Sequence, residues 1–545
     1  MESPPSGRPG LKIVVLDDDP TGSQTVHSAP LLLRWDADSL RRGLADPSPF
    51  LFLLANTRAL DPEAATARVQ QIALALRPAL LEAQRAGWIR RWLLVSRGDS
   101  TLRGHFPLEL DTLAAVLGED PSPLPSEQST DGETIGHEDA IPEAAGQGSP
   151  VGDRGGGFDG CLLVPAFLPG GRTTVDGVHR LQGVPVHTTA FARDGRFAYH
   201  TSHLSHWIEA KSGGRIAAHS VERLSLAELD AAVRDLAQAA GSRDDLAQLS
   251  LAELDVAAAA CSAPAAAGGF AQLCRRLACL RQQRWLTVDA EREEQLTALG
   301  AAVRRLSDPA ASGPWGRPRR FLFQSAASLL NGLAPIGPQP LAPAALAALR
   351  RSGPQGPRPG LVLVGSHVPL ADQQLETLLA DRRCCGVELA VPTLLRALEG
   401  PLPDRLLPSL EAAWLEALRA VLAQGRTPVL YTSRGEVHCA RPQDRIRLGL
   451  TLAATTARLA AALAPELGYL ISKGGITTHT LLAEGLKLAS VQLQGQLLPG
   501  LSLVLAQAPA AAAPLPLLTF PGNLGDATTL WQAWRLLEGD SSPAG

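Results

Sequence analysis

LKIVVLDDDPTG, residues 11–22, is an apolar run that ends abruptly in three aspartates and a Pro-Thr-Gly turn, and its reading decides the fold. A short apolar run without helical period, closed by turn formers, fits a strand buried on both faces. Three more signatures follow apolar runs: GDSTLRG at 98–104, SKGGITTH at 472–479 and FPGNLGD at 520–526. In open α/β sheets, ligands bind beyond the carboxyl ends of strands. Two signatures near each end of the chain suggest two sheets, one offering carboxylates and an arginine, the other glycine loops. Such a layout suits reactants that meet in a cleft.

Working outward, strands are expected at Leu11–Leu16, Phe50–Leu54, Trp92–Val95, Cys161–Val164 and Trp285–Val288 in the first half. The second half offers Leu361–Val364, Pro428–Tyr431, Tyr469–Ile471 and Leu501–Leu505. Amphipathic stretches such as Glu63–Ala86 and Ser409–Gln424 separate most of them, which argues for βαβ units. The expected class is α/β, with two domains, each a mostly parallel sheet flanked by helices, and an active site in the interdomain cleft. The Pro/Gly-rich stretch 334–360 reads as a linker between a domain at 1–333 and one at 361–545. Leu224–Leu280 reads as surface helices with a break near Ala263–Gly269. Residues 119–157 hold nine acids and one base, a net of −8, with no period, and read as a disordered insertion.

The 545 residues exceed one ordinary core, and 45% hydrophobic content is that of a soluble globular chain. No apolar run approaches the roughly 18 residues of a membrane helix, and Met1–Gly10 shows no secretory apolar region. Seven cysteines without metal-type pairs fit reduced thiols, so a cytoplasmic location is expected. No basic patch with interleaved aromatics appears, which disfavours nucleic-acid partners. Outside the acidic insertion the chain is mildly positive, which suits a small anionic ligand. Only four lysines occur among 50 cations, and one of them, Lys473, stands inside a glycine motif.

Adjacent carboxylates repel, so one of Asp17–Asp19 can acquire a raised pKa and act as a general base; the same oxygens suit Mg²⁺. An Asp-rich turn that caps the next helix is an equally good reading of DDDPTG alone. In GDSTLRG, Arg103 can fork onto a carboxylate and the small hydroxyl residues Ser100 and Thr101 suit a polyol, or else Asp99 caps a helix and Arg103 joins a structural salt bridge. PAFLPGGRTTVDG at 165–177 adds Arg172 on a third loop. In the second half, GSHV (365–368), TSRG (432–435), SKGGITTH and PGNLGD (521–526) give backbone N–H groups room to approach phosphate. Lys473 would pair with phosphate charge, or else stand as a plain strand-end lysine. Neither a Walker loop nor a dinucleotide fingerprint is present. The histidines show no metal spacing, and no hydrolase elbow surrounds Ser366 or Ser433.

Taken together, these motifs resemble the four-carbon acid sugar kinase family, the ATP-dependent tetronate kinases. The resemblance rests on Asp18, Asp19, Thr21 and Gly22; Asp99–Gly104; and Pro165–Phe167 with Gly171, Arg172, Asp176 and Gly177. It continues through Gly365–Ser366, Gly474–Gly475 with Thr477, GQLLPG at 495–500, and Gly522–Asn523 with Gly525. It implies an N-terminal domain for a sugar acid and a C-terminal domain for ATP with Mg²⁺. Asp18 and Asp19 would be catalytic, and Thr21, Asp99, Ser100, Arg103 and Arg172 would bind the acid. Ser366, Lys473, Gly474, Gly475, Ile476, Gly522 and Asn523 would face the nucleotide; no protein metal ligands are expected. Two departures stand out: Ile476 where many members carry an acid, and Phe520–Pro521 where many carry Lys-Ser.

The leading expectation is therefore an ATP-dependent kinase acting on a hydroxyl of a small sugar acid such as erythronate, threonate or 3-oxo-tetronate. A nucleotide or sugar-acid sensor on the same fold is the second reading, motivated by the two departures. A sugar-phosphate isomerase or aldolase is the third. The expected partners are the sugar acid and ATP, with no nucleic acid and no membrane; assembly into a homo-oligomer is compatible with the sequence.

Overall fold

The computed structural model of the chain describes residues 10–22, 25–118, 157–241, 246, 249–264, 266–310, 313–354, 356–400, 402–435, 442–507 and 513–540. All but the last residue of the acidic insertion lies outside them. Fifteen strands form one sheet. In the N-terminal half they are β1 (Leu11–Asp17), β2 (Pro30–Leu32), β3 (Phe50–Leu54), β4 (Arg91–Arg97), β5 (Gly160–Val164), β6 (Glu222–Leu224), β7 (Arg284–Val288) and β8 (Phe321–Ser325). The C-terminal half adds β9 (Leu361–Val364), β10 (Cys384–Leu389), β11 (Thr427–Thr432), β12 (Leu470–Lys473), β13 (Ser490–Leu498), β14 (Leu501–Ala506) and β15 (Leu515–Phe520).

The spatial order is β10-β11-β9-β12-β15-β14-β13-β2-β3-β1-β4-β8-β5-β7-β6. Strand pairs within the N-terminal half are parallel, whereas β13, β14 and β15 pair antiparallel. Every residue of β1, β3 and β5 is buried, as expected for parallel strands covered by helices on both faces. The helix Pro62–Arg85 shows how the cover is built. Asp61 caps it by accepting from Ala64 N, a proline occupies its first turn, and Val69, Ile72, Ala73, Leu76 and Leu80 bury one stripe.

Two sequence-based expectations change. The two sheets are joined into one, because β13 pairs antiparallel with β2 through Ser490–Leu32, Val491–Leu31 and Gln492–Pro30. The stretch 224–280 is not a surface layer: helices Leu226–Ala239, Leu251–Cys261 and Gly269–Ala278 bury Leu229, Leu236, Leu254, Phe270 and Leu277 in the main core. The linker region is ordered by specific contacts and includes a short helix, Pro343–Ala347, with Leu346 buried. The sequence reading leaves out six strands of the sheet: β2, β6, β8, β10, β13 and β15.

Two places in this order are topological switch points. From β1 the chain moves to β3 on one side and returns to β4 on the other; from β9 it moves to β10 and β11, then returns to β12. Oppositely directed crossovers open a crevice at the strand ends. The carboxyl ends of β1 and β4 carry Asp17 and Arg97 side by side, and those of β9 and β12 carry Val364 and Lys473 side by side.

Beyond the join, the edge of β13 depends on the linker. Gln339 accepts from Gln496 N at 2.8 Å and donates to Gln496 O at 3.1 Å, standing in for a strand partner beside an irregularity at Gly495. Gln339→Ala is expected to lower the unfolding free energy by about 1–3 kcal/mol, the cost of leaving such backbone groups unpaired, as read from urea denaturation.

Candidate active site

Both switch points open into a single cleft of about 610 Å³. The N-terminal half contributes Asp19, Thr21, Asn56, Arg58, Arg97, Asp99, Ser100, Arg103 and Arg172 to its wall; the C-terminal half contributes Val368, Gly475, Ile476, Pro521, Gly522, Asn523 and Leu524. The halves touch at the base of the cleft. A Cβ added to Gly475 would collide with the Asp19 carboxylate, so only glycine lets this backbone approach so closely.

Three aspartates at the end of a buried strand need counter-charges, and two arginines supply them. Arg97 lies 3.6 Å from Asp17 and 3.4 Å from Asp18. Arg58 pairs closely with Asp19 and lies 3.9 Å from Asp18 and 3.6 Å from Asp99. The balance differs from one carboxyl to the next. Burial pushes Asp17 up to about 8, and the nearby Arg97 only partly offsets it. Burial likewise pushes Asp18 up to about 7 against Arg58 and Arg97. Asp19 is also buried, yet Arg58 and hydrogen bonds from Thr21 hold it below the usual range. The structure thus separates the two expected catalytic aspartates: Asp19 reaches the cleft, while Asp18, 2% exposed, is turned behind it. Gly22 is required here as well, since a Cβ would strike the Asp17 carboxylate.

The expected acid-binding residues gather on one wall. Arg103 donates from Nε to Asp99 at 2.6 Å, lies 3.6 Å from Asp194 and covers the Phe191 ring. Burial opposes ionisation of Asp99, but Arg103 and Arg58 hold it well below the usual carboxylate range. Ser100 is fixed through its carbonyl, which accepts from His179 Nε2 at 2.8 Å; burial lowers His179 to about 4, so it is a neutral structural group. Arg172 differs from the others. It is 8% exposed, donates to Gly170 O, and its Nε has no partner. Among the described residues no carboxylate pairs with it.

On the opposite wall the glycine loops brace one another. Gly474 N donates to Phe520 O at 2.9 Å, and Gly365 N donates to Lys473 O at 3.1 Å. A Cβ added to Gly522 would strike Ser366 Oγ, and the Ser366 carbonyl accepts from Arg434 at 2.6 Å. Lys473 does not line the cleft. It is fully buried, donates to the carbonyls of Pro521 and Gly522 at 3.1 and 3.2 Å, and sits 4.0 Å from the Phe520 ring. Burial lowers it to about 7. Its place is beneath the 520–524 loop, as a brace, and not at the phosphate-facing surface expected from its motif. Ile476 is 53% exposed at the cleft mouth.

Arg58, Arg97, Asp194 and Arg196 escaped the sequence reading. Arg97 immediately precedes GDSTLRG, and Arg58 follows the strand 50–54 by four residues, so the strand-end rule points to both. Asp194 and Arg196 lie in a loop without a motif, and only folding brings them to the cleft.

The Asp17 carboxyl has a pH signature. A carboxyl whose folded pKa is raised favours folding below its unfolded pKa of about 4, and loses that contribution as pH rises through the folded value. Asp17→Asn removes the loss. Its melting temperature relative to the unsubstituted chain is expected to rise steadily from pH 5 to above the folded value of about 8; a difference independent of pH would contradict the raised pKa.

Comparison with known proteins bears on this arrangement. Residues 13–333 match the model of a sugar-binding N-terminal domain, and residues 361–530 match that of a nucleotide-binding C-terminal domain. No curated protein matches the chain. Among solved structures, a Salmonella typhimurium LT2 protein provisionally described as a tRNA synthase is 18% identical, with a TM-score of 0.54 over 96% of this chain and 99% of that one. A Haemophilus influenzae protein from a family of unknown function is 16% identical, with a TM-score of 0.48 over 96% and 99%. A Bordetella bronchiseptica protein, also described as a domain of unknown function and crystallised with citrate as a domain-swapped dimer, is 20% identical, with a TM-score of 0.34 over 97% and 98%. The first of these likenesses concerns the fold alone. The domain matches span most of the sequence, in the order its motifs require, and the chain belongs to the four-carbon acid sugar kinase family.

Proposed function

We propose that the protein transfers the γ-phosphoryl group of MgATP to a hydroxyl of a small sugar acid, with erythronate, threonate and 3-oxo-tetronates as the substrate class. One observation carries this reading: a single cleft has aspartates and arginines on one wall and glycine loops on the other. Phosphoryl transfer needs positioning and charge neutralisation more than covalent chemistry. Arg172 receives the substrate carboxylate, since it offers a guanidinium that no carboxylate among the described residues occupies. Asp19, the aspartate of the triplet that reaches the cleft, orients the acceptor hydroxyl. Asp18 acts from behind, by holding Arg58 and Arg97 in place. The backbone at Gly475, Gly522 and Asn523 lines the triphosphate side. In this reading Mg²⁺ enters as part of the nucleotide substrate. No helix among the described residues is long and apolar enough to cross a membrane; with its free cysteines, the chain is proposed to work in the cytoplasm.

The departures at Ile476 and Phe520–Pro521 favour a second reading, a sensor that binds the same ligands without turnover. ADP release from MgATP against a panel of D- and L-erythronate, threonate and 3-oxo-tetronates separates the two. Turnover dependent on one acid is expected; binding of ATP and acid without ADP release would support the sensor. Arg172→Ala is expected to raise KM for the acid about 10- to 100-fold, from the ~1.5–3 kcal/mol of a charged hydrogen bond, with KM for ATP little changed. An equal rise in both would remove Arg172 from the acid site.

A further inference from the structure

Two buried side chains grip the loop that follows β15. Lys473 donates to the carbonyls of Pro521 and Gly522 from beneath. Gln374 comes from the helix Pro369–Leu379, is fully buried, and donates from Nε2 to Leu524 O at 3.1 Å and to Asp526 O at 2.6 Å. Both neighbours are carbonyls, so the amide nitrogen, not its oxygen, must face them. Gln374 Oε1 has no partner among the described residues, and these two donated bonds are what offsets the burial of the amide. The helix that carries Gln374 is itself anchored at the second switch point. Asp372 pairs with Arg434 at 3.2 Å, and Arg434 donates to Ser366 O. His367 Nε2 and Thr432 Oγ1 lie 3.0 Å apart. The loops after β9 and β11 thus form one frame with the helix, and Gln374 extends that frame to the loop after β15.

The orientation of that loop follows from peptide geometry. Its peptide units are trans, so each carbonyl points opposite to the N–H of the next residue. The carbonyls of Pro521, Gly522 and Leu524 are drawn toward Lys473 and Gln374. The N–H groups of Gly522, Asn523 and Gly525 are therefore turned away from the two braces. None of the three donates to an acceptor among the described residues, and Gly522 and Asn523 line the cleft. Neighbouring backbone N–H groups held free in this way make a concavity for anions.

We propose that Gln374 is a positioning residue for the nucleotide: by holding Leu524 and Asp526 from the side, it keeps the amides of Gly522, Asn523 and Gly525 turned toward the phosphates. The identity of the ligand as ATP rests on the kinase reading; the presence of a polyphosphate site rests on the loop. Gln374 does not line the cleft and touches no ligand, so it acts only through the loop it holds. Lys473 fixes the first half of that loop and Gln374 the second, and losing either releases carbonyls that would compete with the amides for the same space.

Two substitutions of similar length and good helix preference test this. Gln374→Met removes both donors; Gln374→Glu offers one donor when protonated and none when ionised. Binding of MgATP and of inorganic tripolyphosphate, which lacks base and ribose, is measured by isothermal titration calorimetry on the full chain. Gln374→Met is expected to weaken both about tenfold, and by the same factor, because the loop meets only the phosphates. Gln374→Glu, compared with the unsubstituted chain at each pH, is expected to bind tripolyphosphate better at about pH 6 than at about pH 9, since the buried carboxyl then keeps its proton. A purely structural role would leave that ratio independent of pH. Unchanged affinities in Gln374→Met, a loss for MgATP without one for tripolyphosphate, or no binding of either probe to the unsubstituted chain overturns the proposal. If neither variant folds, hydrogen exchange on the unsubstituted chain decides: slowed exchange over 521–526 on adding tripolyphosphate supports the proposal, and unchanged exchange overturns it. Both probes bound and weakened by Gln374→Met, with no ADP released for any acid, would keep Gln374 in this role and remove the kinase reading. ADP release with affinities indifferent to Gln374→Met would do the reverse.

Discussion

Six residues hold the two halves of this protein in one sheet. The antiparallel pairing of Pro30–Leu32 with Ser490–Gln492, extended by Ser28 N to Leu493 O at 2.8 Å and Leu493 N to Ala29 O at 3.0 Å, carries the sheet from one half to the other. Backbone hydrogen bonds of this kind fix the spacing and direction of strands. Once they form, the two switch points lie on the same sheet and their loops can share a cleft. The contact between Gly475 and Asp19 follows from that constraint, because neither half by itself brings the two together. The linker reinforces it from the side through Gln339, whose amide substitutes for a missing strand edge at Gln496.

Charge is the second organising force. Asp17, Asp18 and Asp19 occupy consecutive positions at the end of a buried strand, where like charges would destabilise the fold if all were ionised in isolation. Arg58 and Arg97 divide the load unequally. Asp19, closest to Arg58, stays ionised and faces the cleft; Asp17 and Asp18, deeper and less well compensated, are pushed toward protonation. The same three-residue motif thus supplies one carboxylate at the cleft and two buried carboxyls whose ionisation burial opposes. On the far wall Lys473 plays the complementary part, a cation withdrawn under the 520–524 loop to pair with its carbonyls.

Much of this was legible in the sequence, and the residues that were not show why. Strands such as Phe50–Leu54 and Cys161–Val164 announce themselves by continuous apolarity, and the loops after them by glycine and aspartate. Arg58 sits in a loop, ANTRAL, with no glycine motif, so a search by motif passes over it, although it pairs with more site carboxylates than any other cation in the cleft. Lys473 shows the opposite case: its motif suggests either a phosphate partner or an exposed strand-end lysine, while its strand position buries it between β9 and β15. Leu226–Ala239 and its two neighbouring helices looked like a surface layer because alanine dilutes their apolar stripe. Packing of Leu229, Leu236 and Phe270 shows the stripe to be sufficient.

By itself the sequence determined the α/β class, nine of the fifteen strands of the main sheet, the family, and several of the loops that line the cleft, because these depend on local period and on the residue types a strand end can present. Tertiary structure alone decided that the two expected sheets are one, that Asp19 lines the cleft while Asp18 lies buried, and that Arg58 and Arg97 compensate them. Those outcomes depend on distances between residues far apart in the chain, and on how burial divides charge among neighbours; neither quantity is written in local sequence.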